Sequence, residues 1–256
     1  MSTKISSNNL FHFTKNIESV MGIISEGFRA GYCEENFKLT QEGYYNFFVP
    51  MISFCDIPLS RVHDHINKYG GYGIGMNKEW TIRNQLNPVT YISVGSYLAE
   101  TLQQVVLEAR NVEIDGDLEP NSRAKIPLNI LRFVKNYEAD LVRGEVTTEN
   151  YRFYDEREWR FVPEWSSDFK PYMPPREWWE RDENKAYSQV AFEKYKGELA
   201  KLRLALELKD INYIILEKES DRLKMIEYLN DNFADNSQIE IVKSKLLTKE
   251  QIENDF

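Results

Sequence analysis

The densest set of chemically capable side chains lies in residues 151–164, YRFYDEREWRFVPE. Read with a period of two, Phe153, Arg157, Trp159 and Phe161 take one face, and Tyr154, Glu156, Glu158, Arg160 and Val162 the other. The first face is mostly apolar and suits a core. The second sets Glu156, Glu158 and Arg160 in a row, and Pro163 ends the ladder because it has no N–H to donate. A Glu-x-Glu pair on one strand face brings two carboxylates together. Such a pair can hydrogen-bond a ribose hydroxyl and stabilise a cation developing at a sugar carbon. Like charge raises one pKa of the pair, so one acid can also take a proton. The competing reading is a solvated face on which Arg160 neutralises both acids.

His12, between two phenylalanines in LFHFT, could donate to a ribose or a carbonyl, or could simply be a satisfied core residue. His63 and His65, with Asp56 and Asp64, invite a metal reading that their spacing opposes. Helix positions two apart face different ways, and helical zinc sites prefer histidines four apart. No metal is expected. The run GGYGIG lacks the Gly-Lys-Ser/Thr of a phosphate loop, and no GxGxxG or GxSxG is present. Cys33 and Cys55 have no neighbouring histidine pattern of a thiol nucleophile and read as reduced thiols.

These residues need elements to hold them. At 256 residues and 42% hydrophobic, the chain predicts one α+β domain over 1–256, with one core and insertions. The net charge of -9 opposes broad contact with a phosphate backbone but leaves room for a local basic groove. The N-terminus has no apolar leader core, and no run approaches the ~18 apolar residues of a membrane span. A cytoplasmic protein with no membrane partner is expected. Leu10 to Thr14 reads as a short strand. A helix over 17–25 follows, capped by Asn16 and ended by Gly27. Residues 28–43 read as loop. Residues 47–54 read as a strand buried on both faces, with Pro50 marking an edge or bulge. A helix over 60–68 stops at Gly70 and Gly71. The strand over 72–76 carries glycines that would admit a ligand or another backbone.

Further along, a helix over 96–110, a turn at GDLEPNS and a second helix over 127–141 make a helical insertion over 96–145. A second insertion over 163–209 joins a proline- and tryptophan-rich loop, 163–179, to a long helix, 185–209. Trp165, Trp178 and Trp179 there are partner-binding material if exposed, or the loop's own small core if folded down. A strand over 210–217, a helix over 220–233 and a strand over 238–243 complete the reading. The order lacks the βαβ rhythm of a doubly wound sheet.

The runs LFHFT, ISEGF, VPMISFCDIPL, KYGGYGIGMNKEW, NPVTYI, YDEREWRFVP and DINYIIL, in that order, resemble the AbiGi-type abortive-infection family. The likeness covers most of 10–95 and 150–245. It implies defence of bacteria against phage, and the family's antitoxin label implies a cognate toxin or other defence protein as partner. More remotely, the same order is similar to the ADP-ribosyltransferase fold of DarT-type enzymes. That implies a split β-sheet core with helical insertions and NAD as substrate, with a nucleic acid or a protein as acceptor. On this resemblance His12, Thr14, Ser53 and Tyr72 line the NAD pocket, with Tyr72 stacking on nicotinamide. Glu158 takes the catalytic glutamate's place and Glu156 supports it. An arginine follows the VPF-like strand in DarT-type enzymes. Here that place falls near Asp56, and the closest arginine is Arg61.

Overall fold

The structure, a computed structural model, describes residues 7–41, 43–114, 129–143, 146–164 and 166–255. In chain order they form β1 (Asn9–Thr14), α1 (Ile17–Glu26), β2 (Phe28–Arg29), β3 (Gly31–Thr40), β4 (Gly43–Cys55), α2 (His63–Tyr69), β5 (Tyr72–Asn77) and α3 (Lys78–Arg83). Next come β6 (Asn87–Pro88), β7 (Thr90–Ile92), α4 (Tyr97–Ile114), β8 (Val134–Asn136), β9 (Ala139–Arg143), β10 (Val146–Tyr151) and β11 (Glu158–Phe161). The chain continues through α5 (Gln189–Leu199), β12 (Arg203–Leu204), β13 (Ile211–Leu216), α6 (Asp221–Asn232), α7 (Asn236–Lys243), β14 (Leu246–Thr248) and α8 (Lys249–Asp255). The mixture is α+β. No helix among the described residues is long and apolar enough to cross a membrane. The chain divides into two compact units, one of residues 1–29, 53–86 and 203–256, the other of residues 30–52 and 87–202.

In the first unit β5 lies between β1 and β13, antiparallel to both, and β14 joins β13 in parallel. The β1–β5 register runs from Asn9 opposite Asn77 to Thr14 opposite Tyr72. One face carries Phe11 and Phe13, which pack with Cys55, Ile66, Ile215 and Ile252. A Cβ on Gly75 would stand 2.7 Å from the Phe11 ring, and one on Gly73 2.9 Å from the Phe13 ring. The glycines of YGIGM therefore admit aromatic rings, not a ligand. On the other face Phe54 meets Phe28 and the fully buried Trp80 edge to face, and Phe28 meets Trp80 at a tilt. Helix α1 follows its local signals. The Asn16 side chain accepts from Ser19 N–H at 2.8 Å, and Gly27, at φ 88°, ends the helix.

In the second unit β3 and β4 form a long antiparallel hairpin, Gly31 opposite Met51 at its open end. Pro50 sits inside it, opposite Tyr32. β7 and β8 pair in parallel, with Tyr91 opposite Lys135, and β11 pairs with β6. One core gathers Phe37 and Leu39 of β3 with Ile92, Ala99, Leu102 and Val134. Another joins Phe48 and Met173 to Phe192 of α5. Met173 is tied to Phe48 through both backbone groups, at 2.7 and 2.9 Å. The Trp179 ring meets Phe192 of α5 at a tilt, 4.6 Å between centroids, so this part of the proline-rich stretch folds down onto aromatics. Trp178 is 53% exposed. Trp165 and the GDLEPNS turn lie outside the described residues.

Outside the 151–164 stretch, four expected elements differ. Within the expected loop over 28–43, Phe28–Arg29 and Gly31–Thr40 are strands, the second because Glu35, Phe37 and Leu39 alternate inward, a period hidden by the charge of Glu35. Within the expected helix over 127–141 the described residues keep a short helical turn at 129–131 and then form β8, fixed by pairing with distant β7 and by the Asn136 amide, and β9, paired with β10. That amide bonds Lys38 N–H and C=O, both at 2.7 Å. The long helix over 185–209 shortens to α5, opened by the Ser188 hydroxyl accepting from Ala191 N–H. Residues 238–243 are helical although β-branched. Asp235 accepts from Ser237 and Gln238 N–H, and Ile239 and Val242 bury one helical stripe.

Candidate functional site

The charged residues of the YDEREW run come together in the second unit, but not by the expected geometry. Residues Phe153–Glu156 form a single 3-10 turn. Arg157 then takes the left-handed region at φ 45°, and the strand begins only at Glu158. This corner turns Glu156 and Glu158 inward from two different elements. The polarity of β11 is also the reverse of that expected. Glu158 and Arg160 are 5% and 0% exposed, whereas Trp159 and Phe161 are only half-buried. The charged face is the inner one.

Its neighbours explain how charge can be buried there. Arg160 donates from Nε to Glu158 Oε1 at 2.7 Å, and from Nη2 to Glu158 Oε2 at 3.3 Å. Its Nη2 also pairs with Glu35 Oε2 at 2.9 Å, and its Nη1 donates to the Arg132 carbonyl at 2.9 Å. Lys135 Nζ donates to Glu158 Oε2 at 2.8 Å and lies 3.9 Å from Glu156 and 4.0 Å from Glu35. Tyr151 donates its hydroxyl to Glu156 at 2.8 Å. The Glu158 N–H donates to the Tyr91 hydroxyl oxygen at 2.8 Å. Three carboxylates thus share two cations, Lys135 and Arg160. Arg132 is a separate buried cation, bonded to the Pro163 carbonyl and the Asn129 side chain, and burial lowers its pKa to about 10.

Burial alone would raise the Glu158 pKa. The charges of Arg160 and Lys135, and the hydrogen bonds from both, outweigh it and hold the carboxyl well below the usual carboxylate range. Burial would likewise discharge Lys135 and Arg160, but Glu158 and then Glu35 hold both protonated. Glu158 is therefore a fixed anion near neutral pH. It can stabilise positive charge, but it cannot exchange a proton. Burial, aided by Glu35, raises the Cys33 thiol to about 11, which removes it as a nucleophile.

His12, Thr14, Ser53 and Tyr72 lie in the first unit. His12 Nδ1 is 2.8 Å from the Ser53 carbonyl. A carbonyl only accepts, so Nδ1 carries the proton and Nε2 keeps its lone pair. Burial between Phe28 and Phe54 lowers the His12 pKa, opposed by that hydrogen bond, so the ring is neutral. Thr14 stands opposite Tyr72, on the face that His12 shares. The Tyr72 hydroxyl donates to Asp221 at 2.7 Å, and burial followed by that carboxylate raises its pKa. His63 pairs with Glu253 and Asn67, and Asp56 with Ser7 and Lys78. The side chain of Asp64 is outside the described set.

Sequence reasoning missed Glu35, Lys135, Tyr91 and Tyr151. The first three sit on β3, β8 and β7, whose pairing no local pattern announces. The corner at Arg157 makes a testable claim. Arg157→Gly is expected to leave stability within about 0.5 kcal/mol of wild type, while Arg157→Val costs about 1–2 kcal/mol, because a β-branched side chain fits the left-handed region badly. Urea denaturation of both variants checks it, and equal stabilities would remove the strain from the account.

The fold and the site define an α+β protein with a buried mixed-charge centre. A family model described as "Putative abortive phage resistance protein AbiGi, antitoxin" matches residues 28–217, and the chain belongs to that family. It is 26% identical over 229 residues to the abortive phage resistance protein AbiGi of Lactococcus lactis subsp. cremoris, covering 82% of this chain and 90% of that protein. No solved structure matches the chain.

Proposed function

We propose that this chain serves phage defence in the cytoplasm as an antitoxin-type protein, acting by holding a toxin partner and not by turnover. The observation that carries this reading is the sequestration of Glu158, which is 5% exposed with cations on both carboxylate oxygens. A glutamate so engaged is a structural anchor. The family description, which includes the word antitoxin, agrees with it.

A second reading, NAD-dependent ADP-ribosyl transfer to a macromolecule on an ADP-ribosyltransferase-like split-sheet core, draws on His12. Its neutral ring offers Nε2 as an acceptor on the strand face that also carries Thr14. Glu158, permanently ionised, would stabilise the oxocarbenium-like transition state, with Glu156 beside it. Ser53 would fix the His12 tautomer, and Tyr72 would supply a stacking face.

One experiment separates the two: calorimetry of NAD binding to the purified chain, with nicotinamide release followed in the same sample. The first reading expects no binding up to millimolar NAD and no release. Release that Glu158→Gln and His12→Ala both abolish, in folded variants, would overturn it. The folded state needs its own check, because Glu158→Gln removes the anion shared by Lys135 and Arg160. Its expected cost is about 2–3 kcal/mol.

A further inference from the structure

Two arginines of the second unit are buried alike and partnered differently. Arg160 is 0% exposed and Arg132 2%. Arg160 meets the carboxylates of Glu158 and Glu35. Arg132 meets none among the described residues. Its Nη1 donates to Asn129 Oδ1 at 2.9 Å and its Nη2 to the Pro163 carbonyl at 2.6 Å, and both acceptors are neutral. Its Nε is buried with no acceptor among the described residues.

The neighbouring acids do not make up the difference. The ion pairs of Glu35, Glu156 and Glu158 run to Lys135 and Arg160. Arg132 touches that cluster through its backbone, whose carbonyl accepts from Arg160 Nη1. Among the described residues, Tyr32 is the one titratable group whose charge acts on the Arg132 guanidinium. Burial keeps that phenol protonated near neutral pH, and its hydroxyl donates to the Lys170 carbonyl. Burial lowers Arg132 only to about 10, so the guanidinium stays charged near neutrality.

A buried charge without a counter-charge is costly, and folded proteins pair such groups. Two neutral oxygens do not call for a cation, because an amide or a hydroxyl would serve them as well. What calls for one is an acceptor of opposite charge on the Nε side. There Nε–H and the N–H next to it form a planar fork that matches two oxygens of a carboxylate or a phosphate. A halide offers a single point of contact and uses that fork poorly.

We infer that Arg132 holds a small oxyanion, a carboxylate or a phosphate group, on the Nε edge of its guanidinium. Neither Glu158 nor His12 takes part, so the site is independent of both readings above.

The test uses the full-length chain, dialysed into sodium chloride, with inorganic phosphate and acetate as probes at constant ionic strength. Calorimetry is expected to show wild type binding at least one of them with a Kd at or below about 1 mM. Arg132→Lys keeps the charge and loses the fork, and is expected to bind at least about ten-fold more weakly. Arg132→Met is expected to fold, since an apolar side chain replaces an uncompensated charge, and to lose the binding. Thermal melts give a second readout. Phosphate stabilises any folded chain by exclusion from its surface, so the rise is compared with that of Arg132→Met. Wild type is expected to gain about 3 °C or more beyond that variant at ten times the Kd. Binding of phosphate alone names a phosphate group, and binding of acetate alone a carboxylate. Failure of wild type to bind either probe up to about 20 mM overturns the proposal. So does equal affinity of wild type and either folded variant, and Arg132 would then be a tie between residues 129 and 163.

Discussion

Arg160→Met is expected to destabilise the chain by about 3–5 kcal/mol, the cost of leaving buried charge without its partner. Arg160 is fully buried and bonds Glu158, Glu35 and the Arg132 carbonyl. Methionine keeps the volume and loses every one of these bonds. It leaves Glu35, Glu156 and Glu158 gathered around Lys135 without the second cation. Glu158→Gln instead leaves two carboxylates with two cations and should cost less. The double variant should therefore cost less than the two single costs added together. The pH dependence has a defined sign. The folded-state pKa of Glu158 is depressed, so its stabilisation is present above the ordinary carboxylate value of about 4.3 and is lost as pH falls through the folded value. The gap between wild type and Arg160→Met should be widest near neutrality and narrow in acid. Urea denaturation at several pH values measures both claims. A cost under about 1 kcal/mol, flat with pH, would mean that water reaches the cluster.

That cluster also marks where sequence reading stops. Elements fixed by neighbours along the chain were legible. Asn16 opens and Gly27 closes α1, and short, mainly apolar runs give β1, β5 and β13. Elements fixed by remote partners were not. β3 reads as loop because Glu35 points inward, and Arg160 and Lys135, both far along the chain, make that tolerable. Val134–Asn136 reads as helix because its parallel partner β7 lies across the long helix α4. The inverted face of β11 has the same cause. Hydropathy places Trp159 inside and Glu158 outside, and it fails once Lys135 and Glu35 supply opposite charges that no local pattern contains. The candidate residues Glu156 and Glu158 were visible as types and spacing; the saturation of Glu158 was not. His12 was visible as a lone histidine, but its tautomer depends on a carbonyl of β4.

The first unit offers a second large effect, in which one substitution changes sign with position. Gly70→Ala is expected to cost about 3 kcal/mol or more, whereas Gly22→Ala is expected to stabilise by about 0.5–1 kcal/mol. Gly70 closes α2, its N–H donating to the Ile66 carbonyl at 3.0 Å, and adopts φ 128°, a conformation that L side chains rarely take. A Cβ there would fall onto the Thr14 carbonyl and come within 2.8 Å of Lys15 Cα. Both are backbone at the end of β1, so neither can swing aside as a side chain would. Gly22 sits inside α1, where an added Cβ meets nothing within 4 Å and removes only unfolded-state freedom. Thermal melts of the two variants beside wild type measure the contrast. A Gly70→Ala variant as stable as wild type would mean that the chain leaves α2 by another path. The same variant bears on function, because Thr14 and Tyr72 pair directly beside this corner. If His12, Thr14 and Tyr72 hold NAD, any Gly70→Ala protein that folds should bind it more weakly, and Gly22→Ala should bind it as wild type does. If the chain works by holding a partner and not by turnover, the two variants should differ in stability alone, and neither should bind NAD.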